Sequence, residues 1–361
     1  MTGKERLTAI FRKQPRDRLS WTALVDSNTL DLVPEPLRGN GGLDFYRHLE
    51  CDILLLNNWN LPPHPFPQFP KTVWPADVRI TSETVNNRYQ VSYRTDQGML
   101  TGISQGSHPV KSLVETIEDV KVYRHVREEA RFEDGDDRPA FAAVERMVGN
   151  DGMVTLFAGP SAIPILLEQI MGTMNFYYLM NDHPDEVTAL IEVMHARELE
   201  LWKGYAKGPW EVAILCENTS TYYISPDIYR RFNGPHQKDF TDIMHAAGKV
   251  AVIHMCGHVK DLLSDIKATG ADGIHALTPP PTGNTPWELA LDVLGEDAVI
   301  IGALDPSIFI LGPVDDIPRK LDQLYTPRLR KANFVLGAFA DGIAVPLERF
   351  EAIKQWMRKN A

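Results

Sequence analysis

Cysteine is scarce in this chain of 361 residues: only Cys51, Cys216 and Cys256 are present. So sparse and odd a set argues against a disulfide-stapled scaffold and for a reducing compartment. There is no C-x-x-C and no H-E-x-x-H, so the two most specific zinc patterns are missing. The glycine loops that cradle phosphates, G-x-G-x-x-G and G-x-x-x-x-G-K-[ST], are also missing, which leaves a nucleotide-binding fold without motif support. Positive charge is in deficit, with 37 Lys and Arg against 48 Asp and Glu, a formal net charge of -11. Such a surface repels nucleic-acid phosphates and anionic membranes, and no dense basic patch offsets it. The opening Met1-Thr2-Gly3-Lys4-Glu5-Arg6 has no apolar signal region. No later run reaches about 18 uncharged apolar residues. Neither a nucleic-acid nor a membrane partner is expected, and the chain reads as cytoplasmic.

What is there is an ordinary soluble core, 43% hydrophobic and 24% charged. Thr2 and Glu5 have the spacing of a capping box ahead of the apolar stripe Leu7, Ile10 and Phe11, which predicts a first helix. Leu19–Val25 then reads as a strand delivering Asp26 to its end, and Asp52–Leu56 as a second buried strand. The Pro-rich run Leu61–Pro67 reads as a loop. Alternating segments such as Tyr89–Arg94, with the turn Asp96-Gln97-Gly98, predict a β-hairpin excursion over residues 75–110. Residues 115–150 read as charged helices.

From about residue 150 the pattern is strand then helix. Short apolar runs end at Gly159-Pro160-Ser161, Cys216-Glu217-Asn218, His254-Met255-Cys256, His275, Asp305-Pro306 and Phe339-Ala340-Asp341. Such runs, parted by helical segments, imply parallel βα units. With the two early strands the count reaches about eight, the number of a closed barrel. The expected fold is therefore α/β, a single (β/α)8 TIM-type barrel domain spanning residues 1–361.

In such a barrel chemistry gathers where strands end. Alternate strand residues face one side, so His254 and Cys256 converge on the barrel mouth as half of a tetrahedral zinc site. Alone, the pair reads equally as a satisfied buried histidine beside a small apolar cysteine. Glu217, ending the neighbouring strand, is the expected third ligand and, with His254, the expected catalytic pair. Cys216 is expected to point away and pack. Trp21, Asp26, Tyr222, Tyr223, His275 and Asp305 are candidates to line a substrate pocket, with helix capping and loop turns as the competing roles for several of them. Loops near residues 57–75 and 278–287 could form its rim.

These residues also resemble a known family. The opening Lys4-Glu5-Arg6-Leu7 and Pro15-Arg16-Asp17-Arg18-Leu19-Ser20-Trp21 look like the start of the uroporphyrinogen decarboxylase superfamily. So do Gly159-Pro160, Ile224-Ser225-Pro226-Asp227, His254-Met255-Cys256-Gly257 and Ala303-Leu304-Asp305-Pro306, in order along nearly the whole chain. The resemblance implies a TIM-type barrel, in agreement with the strand count. True decarboxylases of that superfamily carry an Arg-Gln-Ala-Gly-Arg segment whose arginines grip the substrate's carboxylates; here the first strand runs Thr22-Ala23-Leu24-Val25-Asp26-Ser27-Asn28. The other branch, the corrinoid-dependent methyltransferases, is similar at His-x-Cys. It implies zinc, a corrinoid carried by a separate partner protein, and a small methylated substrate. Zinc members of that branch show a further cysteine on the last strand, near Ala340 here, and this chain has no cysteine after Cys256. Glu217, His275 or Asp341 would then complete the site. A carboxylate-bearing site is a harder Lewis acid. The expected activity is therefore methyl transfer from an O-methyl substrate, such as an aromatic methyl ether, to Co(I) corrinoid, with zinc or a general acid activating the leaving oxygen. The alternatives are transfer from methyl-corrinoid to a thiol, a metal-free decarboxylase-like lyase, and a non-catalytic corrinoid- or ligand-binding barrel.

Overall fold

A computed structural model describes residues 1–56, 70–106, 108–340 and 342–360. The expected Pro-rich loop at residues 61–67, most of the first rim loop and Asp341 lie outside these. The described chain forms two compact units. One comprises Met1–Pro67, Asp137–Gly159 and Gly208–Ala361, the other Gln68–Asp136 and Pro160–Lys207. No helix among the described residues is long and apolar enough to cross a membrane.

The first unit is the expected barrel. Its parallel strands are β1 (Ser20–Val25), β2 (Ile53–Leu56), β3 (Gly152–Ala158), β4 (Val212–Cys216), β5 (Val250–His254), β6 (Gly273–Leu277), β7 (Val299–Ala303) and β8 (Phe334–Ala340). The hydrogen-bonded order runs from β1 through β8, β7, β6, β5, β4 and β3 to β2. Across the remaining seam, between β1 and β2, Asp52 N–H donates to the Trp21 carbonyl at 2.9 Å, Leu54 N–H to Thr22 Oγ1 at 3.2 Å, and Ser20 Oγ to Asp52 Oδ2 at 2.7 Å.

Alternation decides what fills the interior. Leu24, Leu54, Leu56, Met153, Val212, Ile214, Val250, Val252, Val299, Ile301 and Val335 form one buried cluster. The first helix, Gly3–Phe11, adds Leu7, Ile10 and Phe11 to it. Its N-terminus is capped as expected: Glu5 N–H donates to Thr2 Oγ1 at 3.2 Å, and Thr2 N–H donates to Glu5 Oε2 at 2.8 Å. Gly3 lies close to Asp151 and Asp52, both just ahead of barrel strands, so this helix plugs the N-terminal end of the barrel.

In the second unit the expected hairpin is larger. Arg79–Val85, Arg88–Thr95, Gly98–Gln105 and His108–Lys111 make a four-stranded antiparallel sheet in sequential order. Asn86 and Asn87 join the first two strands with φ of 52° and 60°. Positive φ at both central residues is the signature of a type I′ turn, whose twist matches that of the strands. The helices Ile117–Glu128 and Pro184–Ala206 pack together and share the ion pair Arg124–Glu186 at 2.9 Å.

Candidate active site

The inward phase of each strand carries chemistry at its C-terminal end. On β4, Val212 and Ile214 face the interior, so Cys216 does too, against the expectation that it points away. On β5, Val250 and Val252 face inward, and His254 continues the series. Cys216 is register partner of His254, and His254 of His275 on β6. Three adjacent strands thus present a thiol and two imidazoles in one row. Phe157 and Phe339 close this layer: the Phe157 ring lies 5.6 Å from His254, and Phe339 stacks on His275 at 5.1 Å and 27°. The Phe339 ring occupies the space that Gly337 leaves open. A Cβ at position 337 would sit 2.4 Å from the ring.

The two histidines form a pair. Their Nδ1 atoms are 2.7 Å apart and their ring centroids 4.9 Å apart. Burial pushes His254 down to about 4. It pushes His275 well below the ordinary imidazole value, with charge on His254 adding to the effect. Both rings are neutral at pH 7. In a neutral pair one Nδ1–H donates and the other Nδ1 accepts. The donor's Nε2 then carries a lone pair and the acceptor's Nε2 carries the proton, so the pair offers one base and one acid edge. Just beyond His275 the pairing with β7 shifts register, and Ala276 has φ of 63°. Such a bulge re-aims the side chains around it.

Above this row the loops after β4 and β5 meet. Asn218, with φ of 44°, places its amide oxygen 3.6 Å from Cys216 Sγ and 3.8 Å from Cys256 Sγ. Cys256 is exposed and Cys216 half-buried. Gly257 makes the approach possible, because a Cβ there would come within 2.4 Å of Ser220 and 2.6 Å of the Thr219 carbonyl. Ser220 Oγ accepts from the backbone N–H of His258 (3.2 Å) and of Tyr222 (3.3 Å). The Tyr222 ring, 78% exposed, lies 4.0 Å from that of His258. His258 Nε2 is 3.0 Å from the Thr282 carbonyl, and Thr282 donates through N–H and Oγ1 to the buried Asp305 at 2.8 and 3.1 Å.

The remaining expected site residues fall elsewhere. Glu217 follows Cys216 with opposite phase and is fully buried. Its Oε2 accepts from Gln237 Nε2 at 2.8 Å, and the Tyr229 hydroxyl donates to Gln237 Oε1 at 2.5 Å. Burial and the Glu217 carboxylate hold Tyr229 well above the usual phenol range. Among the described residues, Glu217, His254 and Cys256 do not bring their ligand atoms together within 4.8 Å of one another. Trp21 is buried mid-strand with outward phase. Asp26 caps the short helix Ser27–Leu30 and accepts from Gly342 N–H at 2.8 Å. Tyr223 turns back, its N–H donating to the Ser220 carbonyl at 3.2 Å. Asp305 pins the 278–285 loop and also caps the next helix through Ser307 N–H at 2.8 Å. Sequence reasoning misplaces Cys216 and misses Asn218 and Gln237. For Cys216 the signal is available: Val212-x-Ile214-x-Cys216 has the same inward phase as Val250-x-Val252-x-His254.

The mouth therefore collects an imidazole pair and two thiols, with a buried carboxylate behind them. Imidazole and thiol donors in this mixture suit zinc, and His254 and Cys256 are the two expected ligands that the fold leaves on one strand end. The chain is 22% identical over 322 residues to the methylcobamide:CoM methyltransferase MtbA of Methanosarcina mazei, covering 88% of this chain and 86% of that protein. It is 23% identical over 331 residues to the protein of the same name from Methanosarcina acetivorans, with the same coverage. A solved methyltransferase from Methanosarcina mazei superposes with a TM-score of 0.61 at 16% identity, over 99% of both chains. The profile of the uroporphyrinogen decarboxylase (URO-D) family matches residues 97–358, most of the barrel and its whole C-terminal half, and the chain belongs to that family.

Proposed function

We propose that this enzyme moves a methyl group between the corrinoid of a separate partner protein and a small substrate held at the His254 end of the barrel. The two curated relatives are methyltransferases named for a methylated cobamide and the thiol coenzyme M. The observation that carries the reading is the pair of sulfurs, Cys216 and Cys256, gathered on Asn218 beside the His254–His275 row. A sulfur-rich donor set is soft and suits a thiol substrate. Transfer from methyl-corrinoid to a thiol is therefore the reading that the geometry supports best.

Zinc held by His254 and Cys256 would supply the positive charge that favours the anionic form of a bound thiol. The protein's own groups do the rest. With its Nε2 on the metal, His254 donates Nδ1–H to His275 Nδ1, which fixes the ligand ring, and the thiol proton leaves to solvent as the thiolate takes the methyl group. Phe157 and Phe339 wall the layer and exclude water. Asn218 and Gly257 hold the two loops in register.

The second reading, an O-methyl donor passing its methyl to Co(I) corrinoid, is favoured by one feature, the buried Glu217 carboxylate at the adjacent strand end, a hard oxygen donor. One assay separates them. The purified protein is given free methylcobalamin with a panel of small thiols, and free cob(I)alamin with aryl and alkyl methyl ethers, and the corrin spectrum is followed. Loss of methylcobalamin with thiols is the expected result. Methylation of cob(I)alamin by an ether alone would transfer the proposal to the second reading. Silence in both arms, with a methylated partner corrinoid protein also inert, defeats the proposal. Stoichiometric zinc that is lost in both His254→Ala and Cys256→Ser is expected in parallel.

A further inference from the structure

We propose that the N-terminal end of the barrel, opposite the His254 mouth, carries a binding site for a small phosphate-bearing anion, centred on Arg16, Arg330 and Lys331. The inference is independent of the methyl-transfer reading. Folding gathers there what composition does not show. The link from the first helix to β1 (residues 13–19), the segment ahead of β7 (296–297) and the segment ahead of β8 (328–333) line one cavity of about 750 Å³. That volume suits a small-molecule ligand. Six cations line it, Lys13, Arg16, Arg18, Arg328, Arg330 and Lys331, against three carboxylates, Asp17, Glu296 and Asp297. In a chain of net charge -11 this is an island of opposite sign, and a concave surface of one sign concentrates counter-ions.

Two of the carboxylates are already engaged. Asp17 pairs with Arg6 at 2.7 Å and with the N-terminal ammonium at 2.6 Å, and Glu296 pairs with Arg328, which also holds Asp292 at 2.6 Å. Arg18 reaches Asp52 at 3.0 Å, and Lys13 stands 3.4 Å from Asp272. Arg16, Arg330 and Lys331 differ, for none of the three has a carboxylate partner among the described residues. Arg16 donates Nη2–H to the Arg330 carbonyl at 2.8 Å, and its Nε is buried without an acceptor among the described residues. Burial holds this guanidinium below the ordinary arginine range, as expected of a cation short of counter-charge. A buried donor without an acceptor is costly, and a phosphate oxygen would supply one. Arg330 is held in place by neutral groups. Its guanidinium lies 5.9 Å from the Tyr325 ring centroid and 5.7 Å from that of Trp356. It donates to the Asn360 carbonyl at 3.2 Å and to Asn360 Oδ1 at 2.9 Å. These contacts order the side chain and leave its charge unpaired. The planar fork of a guanidinium matches two phosphate oxygens at once. No aromatic ring lines the cavity among the described residues, so the site recognises phosphate charge and not a base.

Binding to the full-length protein is measured by calorimetry at neutral pH and fixed low ionic strength, with inorganic phosphate, pyrophosphate and ATP as separate titrants. Pyrophosphate should bind at one site per chain. Arg330→Gln should weaken it by roughly tenfold or more, the loss of one charge-assisted contact. Lys331→Gln, an exposed position, should weaken it several-fold, and Lys238→Gln, outside the cavity, should not. Pyrophosphate and ATP binding alike, and tighter than phosphate, assigns the site to a polyphosphate group; all three binding alike assigns it to a single phosphate group. ATP binding far more tightly than pyrophosphate would mean that the base is read, and overturns the assignment to phosphate alone. No binding of any of the three at about 1 mM, the weak end of specific affinities, overturns the site, as does binding that neither Arg330→Gln nor Lys331→Gln moves. If Arg330→Gln fails to fold, amine labelling of the unmutated protein tests the same assignment. Pyrophosphate should protect Lys331 from an acylating reagent and leave Lys238 reactive, and equal labelling of Lys331 with and without pyrophosphate overturns the proposal.

Discussion

Among single residues, the three cysteines divide by environment. Cys51 sits under the barrel wall, and burial pushes its thiol from 9.0 up to about 12. The folded chain therefore keeps a proton there that the unfolded chain releases once the pH passes 9. Stability from this group is full below that pH and should fall by about 1.4 kcal/mol per pH unit as the pH rises further. Denaturant titrations of wild type and Cys51→Ala between pH 8 and 11 should show a fall steeper by that amount in the first than in the second, the buried phenols contributing equally to both. Equal slopes would remove Cys51 as its source. His254 and Cys256 are legible in the sequence because their spacing alone points both at one side. Cys216 is legible in principle, since its phase is set by two valine- or isoleucine-bearing positions before it. Asn218 and Gln237 are not: an amide gains meaning only from what stands opposite it, and Gln237 meets Glu217 across 20 residues of chain.

Elements are easier to read than sites. Each barrel strand begins or ends within a few residues of its apolar run, because a strand buried on both faces must be apolar throughout. The hairpin region is placed correctly over residues 75–110, but its outer strands are missed for the converse reason. Arg79–Val85 and His108–Lys111 are almost wholly exposed and carry no alternation to betray them. The loop after β5 is the element on which the mouth depends, and Gly257 is where it comes closest to the loop after β4. Gly257→Ala drives a methyl group into the Thr219–Ser220 backbone. It should cost about 1–3 kcal/mol and displace Cys256 from Asn218, so that zinc affinity falls with it. Denaturant unfolding and metal titration of the variant check this. Wild-type values in both would show that the loops part without cost.

For the whole molecule, the first helix closes the N-terminal end of the barrel. Phe11 is 2% exposed at the closed end. Phe11→Ala should remove about 3–5 kcal/mol of stability, by lost transfer energy and the cavity left behind, while bound zinc stays stoichiometric. A drop below about 1 kcal/mol would mean that the interior closes over the gap. The eightfold strand count is visible in the sequence; the partition of residues 68–136 and 160–207 into a unit of their own is not. Nothing in composition marks that boundary, because both units draw on the same apolar residues.

The row Cys216–His254–His275 depends on register across three strands. This makes the mouth tolerant of one kind of genetic change and intolerant of another. Point substitutions at Phe157 or Phe339 resize the chamber and leave the donors where they are. A single-codon insertion or deletion within Val250–His254 exchanges inside for outside along the strand, turning Ile253 or Met255 inward and His254 towards the helices. Descendants of this protein can thus diversify their substrates by substitution, but their donor set is locked by reading length.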